Sequence, residues 1–243
     1  MTATVTVAKA EEGAGFHALA EVDALSSFVW RTIPQGKKFA PQATFEASYA
    51  GFTPGFYANY STEDSLKNNI SEVDYYLGYE TKKHDFTISP LFNFYTYPHT
   101  TNPNYPELGG RVSYELKAIK VFTSHYLSFG PPATNGGYFA DLGAGYSVDL
   151  LPKWKLDSSL TFSFSSPTFN TFNYGPTAKI WALNGVALEI QAPYEVTKSF
   201  YWKPHLLFTS ILNTALRNAL SSGPSAINRP NNAVAGLAAG FKF

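Results

Sequence analysis

The chain has 243 residues, with 18 basic and 18 acidic side chains, no cysteine and one methionine, at position 1. Charged residues make up only 15% and aromatic residues 16%, where an ordinary globular domain carries about 25% charge. The neutral balance excludes the basic surplus that nucleic-acid binding needs, and no apolar run reaches the roughly 18 residues of a membrane-spanning helix.

The absence of cysteine fits an envelope or secreted compartment, where a free thiol is a liability. No CxxC, GxGxxG or P-loop pattern occurs. The opening "MTATVTVAKAEEGAGF" lacks the basic start and apolar core of a signal peptide, so an exported chain is expected here in mature form with an added Met. Residues 1–22 are expected to be a periplasmic tail or a plug, and residues 23–243 a single barrel domain.

From there the dominant signal is a period of two, which places successive side chains on opposite faces of a strand. In "EVDYYLGYE", Val73, Tyr75, Leu77 and Tyr79 oppose Glu72, Asp74, Tyr76, Gly78 and Glu80. In "RVSYELK", Val112, Tyr114 and Leu116 oppose Arg111, Ser113, Glu115 and Lys117. "YFADLGAGYSVDL" sets Tyr138, Ala140, Leu142, Ala144, Tyr146, Val148 and Leu150 against Phe139, Asp141, Gly143, Gly145, Ser147 and Asp149. "WKLDSSLTFSF" sets Trp154, Leu156, Leu160, Phe162 and Phe164 against Lys155, Asp157, Ser159, Thr161 and Ser163, and "VALEIQA" sets Val186, Leu188 and Ile190 against Glu189 and Gln191. In chain order the pattern predicts strands over 23–32, 41–51, 54–62, 70–81, 84–96, 108–118, 120–129, 136–150, 154–166, 184–196, 199–212 and 232–243. That is about twelve, within a range of about ten to fourteen.

The connections alternate in length. Long ones fall near 33–40, 63–69, 97–107, 130–135, 167–183 and 213–231; short ones fall near 52–54, 81–83, 118–119, 151–152 and 197–198. Strands running up and down would gather every long link at one end, and every short link with both termini at the other. Greek-key sandwiches have no reason for this parity, whereas outer-membrane barrels have it by construction. Hydrocarbon offers no hydrogen-bond partner, so a sheet in lipid must close and leave no edge. The expected fold is all-β: a closed antiparallel up-and-down transmembrane β-barrel of about 12 strands in a bacterial outer membrane. Aromatic residues near strand ends, Trp30, Tyr60, Tyr95, Tyr97, Tyr138, Trp154, Tyr201 and Trp202, are expected at the two membrane interfaces.

The last residues, "AVAGLAAGFKF", place Ala235, Leu237, Ala239, Phe241 and Phe243 on one face and Val234, Gly236, Ala238, Gly240 and Lys242 on the other. An alternating final strand ending on Phe resembles the C-terminal signal of bacterial outer-membrane proteins, so Phe241 and Phe243 are expected to engage the barrel-insertion machinery. The small residues of this strand face the lumen and leave room there for a pore or a folded-in plug.

"SSFVWRTIPQGKKFAPQATFEASY", then "GFYANYS", "EVDYYLGYE" and "FNFYTYP", resemble the TorF-type putative porin family of proteobacterial outer membranes. The matching positions are Val29, Trp30, Arg31, Ile33, Gln35, Gly55, Phe56, Tyr57, Ala58, Glu72, Asp74, Gly78, Tyr79, Tyr95, Tyr97 and Pro98. Thr32 stands where that family has Gly, and Pro34 where it has Ser. The resemblance implies an outer-membrane barrel and names no solute.

About twelve strands lie between the filled eight-stranded barrel and the open channel of sixteen or more, so a narrow or plugged lumen is expected. The expected pore-lining charges are Arg31, Glu46, Asp74, Arg111, Glu115, Asp141, Asp157, Glu189 and Lys203. Acidic residues outnumber basic ones among them, which gives a weak cation preference; the alternative is that they pair across the lumen and hold the wall in register. The histidines are His17, His84, His99, His125 and His205, none beside a nucleophile motif. Ser124 is a poor partner for His125, because neighbours in a strand face opposite ways.

The chain is therefore expected to be a non-enzymatic porin or channel for passive diffusion of small hydrophilic solutes or ions, with no cofactor and no metal. The alternatives are a plugged structural or partner-binding barrel working through its long loops, notably 167–183 and 213–231, and more remotely an outer-membrane hydrolase. Outer-membrane lipid, lipopolysaccharide and the insertion machinery are the expected partners, with homo-oligomerisation open.

Overall fold

The computed structural model describes residues 15–63, 68–222 and 229–243. Twelve antiparallel strands form one closed sheet: β1 (His17–Leu25), β2 (Ala40–Ser48), β3 (Phe52–Ser61), β4 (Asn69–Tyr79), β5 (Phe86–Thr96), β6 (Tyr105–Leu116), β7 (Ile119–Ser128), β8 (Tyr138–Leu151), β9 (Trp154–Ser165), β10 (Ala182–Gln191), β11 (Phe200–Ile211) and β12 (Asn231–Lys242). Each pairs with its neighbours in sequence. β12 returns to β1 with Leu19 opposite Lys242 and Leu25 opposite Gly236, which closes the wall. Closure leaves no unpaired edge, the condition lipid imposes. No helix among the described residues is long and apolar enough to cross a membrane.

The alternating faces explain the register. Val22, Phe45, Phe56, Leu77, Leu142, Leu160, Phe162, Leu206 and Phe208 are exposed on the outside, while Gln42, Asn59, Asn93, Ser113, Ser124 and Ser163 are buried inside. A one-residue slip would exchange these faces, so the pattern fixes the pairing. Near the short turns the outward rings form an aromatic girdle: Phe52 lies 4.7 Å from Tyr79, Phe86 4.6 Å from Tyr114, Trp154 4.8 Å from Tyr194 and Phe200 4.7 Å from Phe241. Near the long loops Trp181 lies against Phe164 and Tyr138 on the same outer surface. Of the expected interface aromatics, Tyr60, Trp154 and Trp202 are exposed outside. Trp30, Tyr95 and Tyr201 are buried inside the barrel instead, and Tyr97 packs on the internal core.

Inside, large residues alternate with glycine across neighbouring strands. Tyr76 sits opposite Gly55, Phe122 opposite Gly143, His205 opposite Gly236 and Tyr201 opposite Gly240. A Cβ on Gly240 would lie 2.4 Å from the Tyr201 ring, and one on Gly236 2.2 Å from His205 Nε2. The room left by the small residues of β12 is thus taken by the side chains of β11.

Two corrections concern the N-terminal region. The first strand is 17–25, not 23–32, so the wall begins inside the segment expected as tail; residues 1–14 of that segment lie outside the described residues. Residues after Ser26 leave the wall altogether. Val29–Trp30 and Ile33–Pro34 form a two-stranded hairpin inside the lumen, and residues 27–34 are all buried. Its turn residues Arg31 and Thr32 both have positive φ, 49° and 68°. A two-residue turn of this hand needs positive φ at both positions. A segment covered on every side carries no alternation, and its contiguous apolar run "FVW" imitated a strand.

The long loops add two helices. α1 (Pro167–Tyr174) starts with Pro167 at its first position and Ser166 as cap, and ends at Gly175, whose N–H donates to the Thr171 carbonyl. α2 (Thr214–Ser222) is capped by Asn213, which accepts from the amides of Ala215 and Leu216. α2 buries Leu216, Ala219 and Leu220 at helical spacing.

Candidate functional site: the two halves of the lumen

The lumen divides into a packed half under the long loops and an open half above the short turns. In the packed half, Phe28, Val29, Trp30 and Ile33 of the hairpin, Phe169 and Tyr174 of α1, and Leu216 and Leu220 of α2 join wall residues Leu25, Tyr95, Tyr105, Phe139, Leu207, Ile211 and Val234 in one hydrophobic cluster. Trp30 stacks on Phe169 at 5.8 Å and meets Tyr95 edge-on at 5.9 Å. α1 is tied to the wall by a buried polar group in which the Ser165 hydroxyl lies 2.6 Å and 2.7 Å from the amide oxygens of Asn170 and Asn184.

Arg31 is the polar centre of this half. It was expected on the wall; it sits instead at the hairpin tip, because the chain has already left the sheet at Ser26. Its guanidinium forks onto the Glu107 carboxylate, with Nη1 donating to Oε2 at 2.8 Å and Nη2 to Oε1. The Tyr95 hydroxyl donates to Glu107 Oε1 at 2.9 Å. The rings of Trp30, Tyr126 and Phe139 each lie 4.5 Å from the guanidinium carbon. Burial opposes the charge on Arg31, and Glu107 with the tyrosine hydroxyls around it outweighs that, so its pKa lies well above the ordinary arginine value. Removing one partner of such a pair strands the other charge and costs about 3–5 kcal/mol. The pair therefore locks the hairpin to the wall.

The open half is a cavity of 1190 Å³ that reaches from Phe28 and Trp30 to the start of β1, the end of β12 and the short turns. Its lining carries eight carboxylates (Glu21, Asp23, Glu46, Asp74, Asp149, Asp157, Glu189, Glu195) and five lysines (Lys153, Lys155, Lys198, Lys203, Lys242). Lys203 Nζ lies 2.8 Å from Glu21 Oε2, and Tyr201 also donates to that oxygen. His205 Nε2 lies 3.0 Å from Asp23 Oδ1. Tyr76 donates to Glu46 Oε1 at 2.8 Å. A polar ladder runs Gln42 to Asn59 to Ser71.

Among the other expected lining residues, Glu46, Asp74, Asp157, Glu189 and Lys203 line this cavity. Arg111 faces inward, bonded to Ser124 at 3.0 Å and lying over the Phe122 ring at 4.2 Å. Asp141 is buried and accepts from Ser163 at 2.8 Å. Glu115 stands at the short-turn rim between Lys82 and Lys120. Phe241 and Phe243 are exposed on the outer surface, and the Phe243 backbone pairs with Ala18. His125 and Ser124 do face opposite ways: His125 is outside, near Tyr138, and Ser124 is inside. No group of three or more metal-ligating side chains occurs among the described residues.

Sequence reasoning missed Glu21, Asp23, Glu107 and His205. The signal for the first two was present in "HALAEVDAL", where His17, Leu19, Glu21, Asp23 and Leu25 alternate with Ala18, Ala20, Val22 and Ala24. Glu107 fell in a segment read as loop, two residues inside the true start of β6.

No curated protein matches the chain in sequence. Among solved structures the chain is similar to a KdgM porin in complex with disordered oligogalacturonate (10% identity, TM-score 0.56, 93% of this chain and 99% of that one). It is also similar to the COG4313 outer membrane channel from Pseudomonas putida F1 (10% identity, TM-score 0.55, 96% and 97%) and to the NanC porin (9% identity, TM-score 0.52, 94% and 99%). At these identities the likeness is one of fold: a closed twelve-stranded barrel of the outer-membrane porin type. With an apolar exterior, such a barrel is an outer-membrane protein. Residues 9–158 match the model of the family described as "Bacterial protein of unknown function (Gcw_chp)", more than half of the chain, and the chain belongs to that family.

Proposed function

We propose that the protein is an outer-membrane channel for passive diffusion of small hydrophilic solutes or ions, closed at the long-loop end by the 26–39 segment. The observation that carries this reading is the polar-walled cavity of 1190 Å³, open at the short-turn end of a barrel whose exterior is apolar. Short turns face the periplasm in barrels of this class, so the cavity is a periplasmic vestibule and the hairpin an outer gate. The vestibule's eight carboxylates against five lysines support a weak cation preference. The same excess disfavours a polyanion such as the oligogalacturonate named with the KdgM structure. No catalysis is proposed, since among the described residues the Asp23–His205 pair has no hydroxyl nucleophile bonded to it.

As a finer reading we propose that the chain is a TorF-type porin, on a resemblance whose residues include the hairpin Val29, Trp30 and Arg31. The family's usual Gly at position 32 fits the positive φ found there. Phe241 and Phe243 are proposed as the signal read by the insertion machinery, with lipid and lipopolysaccharide around the wall.

The second reading, a non-conducting barrel acting through its long loops, is favoured by the depth at which the hairpin is buried. Single-channel recording of the refolded protein across a salt gradient separates the two. Discrete steps with a cation-selective reversal potential support the channel, and clear anion selectivity ends the charge preference. Stable insertion without any step moves the role to the loops.

A further inference from the structure

The carboxylates deepest in the lumen are not equally satisfied. Glu107 is held by Arg31, Glu21 by Lys203 and Asp23 by His205. Glu46 and Asp74 form no ion pair among the described residues. They are 2% and 6% exposed, and Glu46 Oε2 and Asp74 Oδ1 have no hydrogen-bond partner among the described residues. The Tyr57 hydroxyl, on a residue 8% exposed, also has none. All three side chains line the cavity. Register sets Tyr57 directly opposite Asp74, and Glu46 on the next strand diagonal to Tyr57. Tyr95, opposite Asp74 on its other side, touches Trp30, so the hairpin's aromatic end closes the cavity beside this group.

A buried polar atom without a partner costs free energy, and three at one end of a cavity fit a ligand that donates hydrogen bonds and carries positive charge. An anion would meet two carboxylates. A metal ion would need several converging ligands, and no such set exists among the described residues. The rings of Tyr57, Tyr76, Phe28 and Trp30 at this end instead suit an alkyl body carrying an ammonium head.

We propose that the blind end of the vestibule is a binding site for an organic ammonium solute, its head on Asp74 and Tyr57 and Glu46 receiving it from the mouth. This names a solute class for the channel proposed above and rests on that reading.

The test is calorimetric titration of the refolded full chain in detergent with n-butylammonium chloride, n-butanol and sodium butyrate. Butylammonium is expected to bind at least about tenfold more tightly than the other two. Asp74→Asn should weaken butylammonium about tenfold or more. Tyr57→Phe, which keeps the ring, should weaken it a few-fold, and Asp85→Asn, at an exposed turn outside the cavity lining, should change nothing. Butylammonium binding no tighter than butanol, or unchanged in both inner variants, overturns the site. So does sodium chloride competing at equal concentration, which would make it a simple counter-ion position. Conductance without ammonium discrimination removes the site and leaves the channel. Discrimination without conductance leaves the site and removes the channel.

Discussion

The two halves of the lumen are built on one wall and behave oppositely. Under the long loops, the inward face meets a hairpin and two helices, and its polar groups are consumed in a packed core around Arg31 and Glu107. Above the short turns no further described element packs on the same alternating strands, and Glu46, Asp74 and Asp157 face a cavity. The difference lies in the connections. Short turns have too little chain to fold inward, whereas the 26–39 and 166–181 loops and the loop that carries α2 are long enough to fill about half of a twelve-stranded interior. In this barrel wall chemistry makes a lumen, and loop length decides which part of it stays open.

The largest way to break this contrast is to unlock the packed half. Arg31→Ala leaves Glu107 buried and unpaired, at a cost to hairpin docking of about 3–5 kcal/mol. The open fraction in single-channel records should rise by about a hundredfold or more. If openings do not increase, the ion pair is not the lock.

Neutralising the open half should alter selectivity without opening the barrel. Asp157→Asn combined with Glu189→Gln, both less buried in the cavity lining, is expected to move the reversal potential toward zero in a salt gradient, with the frequency of opening unchanged.

A third change tests the internal packing that both halves share. Gly236→Ala would place a methyl 2.2 Å from His205 Nε2 and 2.7 Å from Leu25 Cδ2. It should displace His205 from Asp23 and lower stability by about 1–3 kcal/mol, read from urea unfolding in lipid vesicles. Wild-type stability would mean that His205 finds another place at no cost.

The smallest effect is expected at the hairpin turn. Thr32 is β-branched with φ at 68°, a conformation that costs about 1–3 kcal/mol and that glycine adopts freely. Part of the gain from Thr32→Gly is offset by glycine's own chain entropy. A net stabilisation of about 1 kcal/mol should make openings rarer; more frequent openings would show that the threonine side chain holds the turn in place.

How much of this was legible follows from which residues obey a simple period. The wall strands, from "EVDYYLGYE" to "AVAGLAAGFKF", have one face in lipid and one in the lumen. Their alternation gave the strand count, the faces and the loop parity. The hairpin "FVWRTI" is enclosed on all sides, so it shows only an apolar run, which periodicity cannot tell from a wall strand. The same run places Arg31 on the wall, whereas it sits at the hairpin tip. β1 was read late because Ala18, Ala20 and Ala24 make its lipid-facing side only weakly apolar. The pairing of Arg31 with Glu107 spans 76 positions and is set by inward folding that no local pattern encodes.

The measurement that bears most directly on the account is a paired single-channel recording of the wild-type protein and Arg31→Ala in planar bilayers. The account predicts rare, brief openings in the wild type and frequent, long ones of the same unit conductance in the variant. Equal records from the two proteins would contradict it, whether both conduct freely or neither conducts.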